Sequence, residues 1–259
     1  MIEITPISAF TDNYIWLLRR PDAAYAVVVD PGDAAPVIRR LRQDGLSLEA
    51  ILITHKHGDH VGGVSELKRT WPEALVYGPA GEPIPAIERA LSEGDQVELA
   101  GIGAEFLVLD VPGHTEGHIA YLGEGSLFCG DTLFAAGCGR VFSGTHEQLH
   151  HSLQRIAALP PDTQIYCAHE YTLDNLGFAA WVEPKNQALA QRRRDAEALR
   201  VNERPTVPSR LDLELLTNPF LRSSEPVVID AAERYTGNRL QSPEAVFTAI
   251  RTWKDREYD

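Results

Sequence analysis

The run Thr54-His55-Lys56-His57-Gly58-Asp59-His60 decides the reading of this chain. It sets three imidazoles and a carboxylate within six consecutive positions. The segment before it, Leu48-Glu49-Ala50-Ile51-Leu52-Ile53, is a short apolar run that reads as a buried strand ending at the site. Alternation along a strand or extended loop sends His55 and His57 to one side, so both can reach one metal ion. After the bend at Gly58, Asp59 and His60 can address a second ion. Neutral imidazoles with carboxylates suit zinc, iron or manganese.

One loop cannot hold two ions, so further ligands are expected at the ends of other strands. Phe106 to Val111 leads into Pro112-Gly113-His114-Thr115-Glu116-Gly117-His118. Leu127 to Gly130 leads into Asp131-Thr132, and Ile165 to Ala168 leads into His169-Glu170. Each is an apolar strand followed at once by a ligand-type residue. The inventory gives one ion His55, His57 and His114, and the other Asp59, His60 and His169. Asp131 bridges them through both oxygens, offsetting repulsion between dications about 3.5 Å apart. His118 reads as a residue supporting the ligands or the strand pairing, and His146, His150 and His151 as a solvated helix face. Cys129, Cys138 and Cys167 read as small packing residues.

The composition narrows the class. Apolar residues make up 44% and charged residues 24% of 259, ordinary for a globular chain with a sizeable core. The net charge of −13 argues against a nucleic-acid partner and against an anionic membrane surface. No stretch is apolar for long enough to span a bilayer, and the N-terminus lacks the features of a secretory signal. Three cysteines make no disulfide framework and fit a reducing compartment, so a cytoplasmic location is expected. A monomer acting on a small molecule is expected as well.

Strands are expected at Ile2 to Ile7, Tyr14 to Leu18, Tyr25 to Val29, Phe106 to Val111, Ile119 to Leu122, Ser126 to Cys129 and Gln164 to Cys167. Helices are expected at Ala34 to Gln43 with Gly45 as stop, Val64 to Thr70 and Glu147 to Leu159. Beyond residue 170 the pattern turns helical. Asn186 to Val201 carries an Arg-rich exposed face, and Pro243 to Arg256 closes the chain with Ser242 as N-cap. Residues 202–226, with four prolines, read as an extended connection. Strand-rich then helix-rich implies an α+β catalytic domain over 1–172 and a helical domain over 173–259.

These residues resemble the metallo-β-lactamase superfamily, whose fold is a four-layered αβ/βα sandwich with metals at one edge. More of the chain looks like one branch, glyoxalase II or hydroxyacylglutathione hydrolase. The matching pieces are Thr11-Asp12-Asn13-Tyr14, the run from Gly130 to Arg140, Ala168-His169-Glu170-Tyr171-Thr172, Val182-Glu183-Pro184-Lys185-Asn186, Asn218-Pro219-Phe220-Leu221-Arg222 and the run from Ala249 to Asp255. The resemblance implies two divalent ions, zinc first, and a helical domain that binds glutathione. It implies glutathione contacts from Arg140, Tyr171, Arg251 and Lys254. Arg140 stands where the family usually has Lys, and Phe142 where it commonly has Tyr, which removes a hydroxyl from the pocket. Arg251 and Lys254 are three apart and share a helix face, a local basic cluster suited to an anionic peptide.

The implied reaction is hydrolysis of S-lactoylglutathione to glutathione and D-lactate, the second step of methylglyoxal detoxification. A metal-bridging hydroxide attacks the thioester carbonyl, with Asp131 bridging the ions and Asp59 orienting the hydroxide. The thiol leaving group has a reference pKa near 8.5, so no dedicated general acid is required. The rival readings are an iron oxygenase of the persulfide dioxygenase kind, another hydrolase of the superfamily, and a non-catalytic metal protein. The sequence supplies ligands for two ions rather than one, and an open shared site rather than a closed structural one.

Overall fold

A computed structural model describes residues 2–258 of the chain. They form two compact units, residues 2–111 with 115–130, and residues 112–114 with 131–258.

The first unit contains two sheets. β1 (Glu3–Ala9), β2 (Asn13–Arg19), β3 (Tyr25–Val29), β4 (Ser47–Leu52), β5 (Leu75–Pro79) and β6 (Arg89–Leu91) lie side by side in that order. The first two pairings are antiparallel and the rest parallel. Parallel neighbours need crossovers. α1 (Ala34–Asp44) supplies one between β3 and β4, and α2 (Gly58–Val61) with α3 (Val64–Thr70) lies between β4 and β5. Asp33 caps α1 by accepting from Ala35 N at 2.9 Å, and Gly45 ends it at φ +68°. α1 buries Val37 and Leu41 in a core with Ile15, Leu17, Val28, Ile51 and Leu67. Each such side chain contributes roughly 1.5–3 kcal/mol by leaving water. The second sheet is an antiparallel meander of β7 (Gln96–Leu99), β8 (Ala104–Asp110), β9 (Ile119–Gly123) and β10 (Ser126–Gly130). Tyr121 Oη donates to Ile53 O at 2.8 Å, and Ile119 N to Thr54 O at 3.0 Å. The two sheets therefore meet where β4 ends and the histidine run begins.

The second unit opens with the hairpin β11 (Leu133–Phe134) and β12 (Gly137–Cys138). α4 (His146–Ala157) follows, started by a reciprocal cap between Thr145 and Gln148. β13 (Gln164–Cys167), α5 (Thr172–Val182) and α6 (Gln187–Val201) come next. β14 (Ser209–Arg210) pairs antiparallel with β13, and α7 (Leu211–Thr217), a 3₁₀ turn at Pro219–Leu221, α8 (Pro226–Thr236) and α9 (Pro243–Trp253) follow, with a π-helical turn at Lys254–Tyr258 after α9. Ser242 caps α9 through Ala245 N, with Pro243 at its first position. Phe220 packs between Phe178 and Phe247, each 5.9 Å away, as the centre of the helical core.

Three expectations are corrected. Residues 202–226 are not one extended connection: α7 and a 3₁₀ turn lie within them. Pro219 and Pro226 begin helical segments, where a missing N–H costs nothing. Arg192 does not lie on a solvated face of α6. It is buried, and its guanidinium is bonded to Glu214, Thr217 and Ser209. His146 and His150 are not on a fully solvated face either. Both rings pack on Phe247, and His150 Nε2 lies 3.2 Å from Ser223 Oγ. Burial holds both imidazoles below their ordinary pKa.

Candidate metal centre

Each unit carries part of the expected ligand set. In the first, β4 delivers Thr54 and His55 at its end, and α2 begins just past His57. His55 Nε2 and His57 Nδ1 lie 3.0 Å apart with the rings edge to face. His60 Nε2 lies 3.4 Å from Asp59 Oδ2. The turn at residues 30–33 presses against this run. A Cβ on Gly32 would meet Asp59 O at 1.8 Å, so only glycine permits the approach.

Asp30 organises the imidazoles, a role for which the sequence alone singles out no residue. Its carboxylate accepts from Thr54 N at 2.8 Å and from Thr54 Oγ1 at 2.7 Å. The threonine hydroxyl spends its one proton on Asp30. Toward His55 Nδ1, 3.1 Å away, it must therefore accept, which leaves Nε2 of His55 as the lone-pair nitrogen. Asp30 Oδ2 also lies 3.0 Å from His60 Nδ1, while His60 Nε2 lies on the side of Asp59. His118 is buried and stacks on His55, with ring centroids 4.6 Å apart. Asn13 Nδ2 donates to Asp59 Oδ2 at 3.0 Å, which orients the carboxylate. The signal for Asp30 is the same as for the ligands: a polar residue directly after an apolar strand, β3.

In the second unit Asp131 offers one oxygen to each of two imidazoles. Oδ2 lies 3.5 Å from His114 Nε2 and Oδ1 3.4 Å from His169 Nε2. His114 Nδ1 donates to Arg140 O at 2.8 Å, which commits Nε2 as the lone-pair nitrogen. A Cβ on Gly139 would fall 2.0 Å from Asp131 O and 2.9 Å from His114 Nδ1, so glycine lets the strand pass behind both groups. His169 stacks on Tyr171 at 4.6 Å and meets the edge of Phe134 at 5.8 Å.

The donor chemistry fits metal ions. Zn–N and Zn–O bonds of about 2.0–2.2 Å at a tetrahedral angle put neighbouring ligand atoms about 3.3 Å apart. The separations here, 3.0 Å for His55 with His57 and 3.4–3.5 Å around Asp131, surround that value. These His and Asp groups are suited to holding metal ions.

The expected substrate residues all fall in the second unit. Phe142 and Tyr171 are exposed, and the Arg140 side chain is half exposed with Nε 3.7 Å from Asp255 Oδ1. The Phe142 ring stands edge-on to His114 at 5.2 Å, and its N–H donates to His114 O at 3.0 Å. Arg251 and Lys254 are buried. Arg251 donates to Cys138 O and to Asp255 Oδ1, each at 3.0 Å, and Lys254 Nζ donates to Asn175 Oδ1 at 2.7 Å. Burial pushes the Cys138 thiol up to about 11, against the lowering effect of Arg251. It pushes the Cys167 thiol up to about 12. Neither is a thiolate at neutral pH, and all three cysteines are buried and outside any disulfide among the described residues. Among the described residues, no helix is long and apolar enough to cross a membrane.

Comparison with known proteins shows the family and the fold. Residues 10–169 match the metallo-β-lactamase superfamily model, and residues 170–257 match the model for the hydroxyacylglutathione hydrolase C-terminus. The hydroxyacylglutathione hydrolase of Alkalilimnicola ehrlichii is 56% identical over 256 residues, covering 99% of this chain and 100% of the relative. That of Aliivibrio salmonicida is 54% identical, covering 98% of this chain and 99% of the relative. Among solved structures, the BLEG-1 B3 metallo-β-lactamase superposes with a TM-score of 0.62 at 25% identity, over 85% of this chain and 99% of its own. TTHA1623, solved in a di-iron-bound form, gives 0.53 at 30% identity over 64% of this chain and 91% of its own. The α+β architecture is thus the metallo-β-lactamase fold with a C-terminal helical domain, and the chain belongs to the hydroxyacylglutathione hydrolase family.

Proposed function

We propose that this enzyme hydrolyses S-(2-hydroxyacyl)glutathione, S-lactoylglutathione in particular, at a centre for two divalent ions. Family membership supports the hydrolase activity, and Asp131 with an imidazole at each oxygen is the observation that carries the two-ion scheme. His55, His57 and His114 with Asp131 would hold one ion, and Asp59, His60 and His169 the other, with Asp131 reaching it through Oδ1, 3.4 Å from His169 Nε2. Zinc suits this mixed imidazole and carboxylate set, with iron or manganese as alternatives. When bound, such ions polarise the carbonyl and make hydroxide available near neutral pH.

The chain's own residues do the rest. Asp30, through the Thr54 hydroxyl, holds the His55 ring in the tautomer that presents Nε2, and its carboxylate lies 3.0 Å from His60 Nδ1. Asp59, oriented by Asn13, is placed to accept a hydrogen bond from the nucleophilic water or hydroxide. Residues 1–172 carry this chemistry, and 173–259 contribute to holding glutathione. Arg140 is the exposed cation for the peptide carboxylate, and Arg251 and Lys254, buried and bonded to Cys138 O, Asp255 and Asn175, would join it by exchanging one of those bonds, while Tyr171 and Phe142 flank it. Arg140 replaces a lysine's point charge with a planar fork, and Phe142 offers a ring edge without a hydroxyl. The buried thiols, outside any disulfide among the described residues, accord with a reducing, cytoplasmic setting.

Arg140→Ala should chiefly raise KM for S-lactoylglutathione. A charge-assisted hydrogen bond contributes roughly 1.5–3 kcal/mol, or about a ten- to hundredfold change in kcat/KM. A small thioester without the glutathione part should be an equally poor substrate for both proteins. A wild-type KM in Arg140→Ala would contradict the glutathione assignment at this residue.

A further inference from the structure

Asn218 opens the segment Asn218-Pro219-Phe220-Leu221-Arg222, and the metal scheme gives it no task. It is fully buried, and its amide faces the turn of the hairpin β11–β12. Asn218 Nδ2 lies 3.2 Å from Phe134 O and 2.9 Å from Gly137 O. One helical turn earlier on α7, Glu214 Oε2 accepts from Ala136 N at 2.9 Å. From α5, Asn175 Nδ2 donates to Ala135 O at 3.1 Å, while its Oδ1 accepts from Lys254. All four residues of the turn, 134–137, are therefore held by a side-chain hydrogen bond from α5, from α7 or from the residue that ends α7.

The turn needs this support. Ala136 sits at φ +57°, in the left-handed region that favours glycine, and such a conformation persists only when its surroundings over-determine it. Gly137 allows the clamp to close, since a Cβ there would fall 2.4 Å from Asn175 Cγ. The two legs of the hairpin lead to functional groups. One begins two residues after Asp131, and the other runs through Gly139 to Arg140. Gly139 N donates to Thr132 O at 3.3 Å, so the legs stay paired at that end. On the first leg, Phe134 stands edge to face with the rings of His169 and Tyr171.

We propose that Asn175, Glu214 and Asn218 are positioning residues for the reaction, gripping the hairpin turn so that its legs fix Asp131 at the metal centre and Arg140 at the substrate. This rests on the roles given above to Asp131 and Arg140.

The test uses full-length, zinc-loaded Asn218→Ala, with its fold checked by circular dichroism. Zinc affinity, read by competition with a chromophoric chelator, is expected to fall about tenfold, and kcat/KM by a similar factor. Adding Ala136→Gly should recover most of both, because glycine adopts the turn without the clamp. If Asn218→Ala does not fold, Asn175→Ser is the milder variant, and a threefold loss with the same rescue is expected. A variant that melts earlier but binds zinc and turns over as wild type when folded would overturn the proposal. Loss without rescue by Ala136→Gly would overturn it as well. The chelator competition does not depend on the substrate, so a wrong thioester assignment would leave the measured zinc affinities unchanged.

Discussion

Asp131→Ala is expected to leave the purified protein with less than one equivalent of metal and to lower kcat/KM by about 10³-fold or more. Its two oxygens stand 3.4 and 3.5 Å from His169 and His114, so one substitution removes a ligand from both proposed ions. The polarising effect of bound metal amounts to several kcal/mol, and each 1.36 kcal/mol is a tenfold change in rate. His169→Ala should be milder in metal content, since it removes a ligand from one ion only. Elemental analysis of both variants, alongside turnover of S-lactoylglutathione, checks this. Full metal content in Asp131→Ala would exclude a bridging role.

The second large effect concerns stability. Arg192→Met should destabilise the fold by roughly 3–5 kcal/mol, because it leaves the Glu214 carboxylate buried without its charged partner. A double variant, Arg192→Met with Glu214→Gln, should recover part of that loss, since the uncompensated charge is gone. Urea denaturation of the three proteins provides the comparison. Arg193→Met is the control: Arg193 pairs with Glu197 on the exposed face of α6, where an ion pair contributes about 0.2–1 kcal/mol. A loss under 1 kcal/mol in Arg192→Met would mean that the buried pair is not a structural tie.

The contrast between Arg192 and Arg193 marks the limit of what the sequence alone makes legible. Strand ends followed by His or Asp are legible because strand and ligand are adjacent in the chain, and the two-residue period fixes which face each side chain takes. The helix start at Ser242 is local in the same sense. Arg192 looks like one more cation in an Arg-rich helix. Its burial depends on Glu214, 22 residues away on a helix hidden among prolines. Asp30 is not singled out by the sequence because its partners, Thr54 and His60, come from the end of β4 and from α2. His146 and His150 look solvated because Phe247, which covers them, comes from the last helix. In each case the missing information is a contact distant in sequence, to which neither period nor propensity is sensitive.

A two-ion hydrolytic centre is the central claim, and one titration tests it most directly. Metal-free protein is titrated with zinc while hydrolysis of S-lactoylglutathione is followed. The expected result is no turnover without metal, a rise to a plateau at two equivalents, and one glutathione released per lactate formed. A plateau at one equivalent, or full activity in metal-free protein, would contradict the two-ion centre.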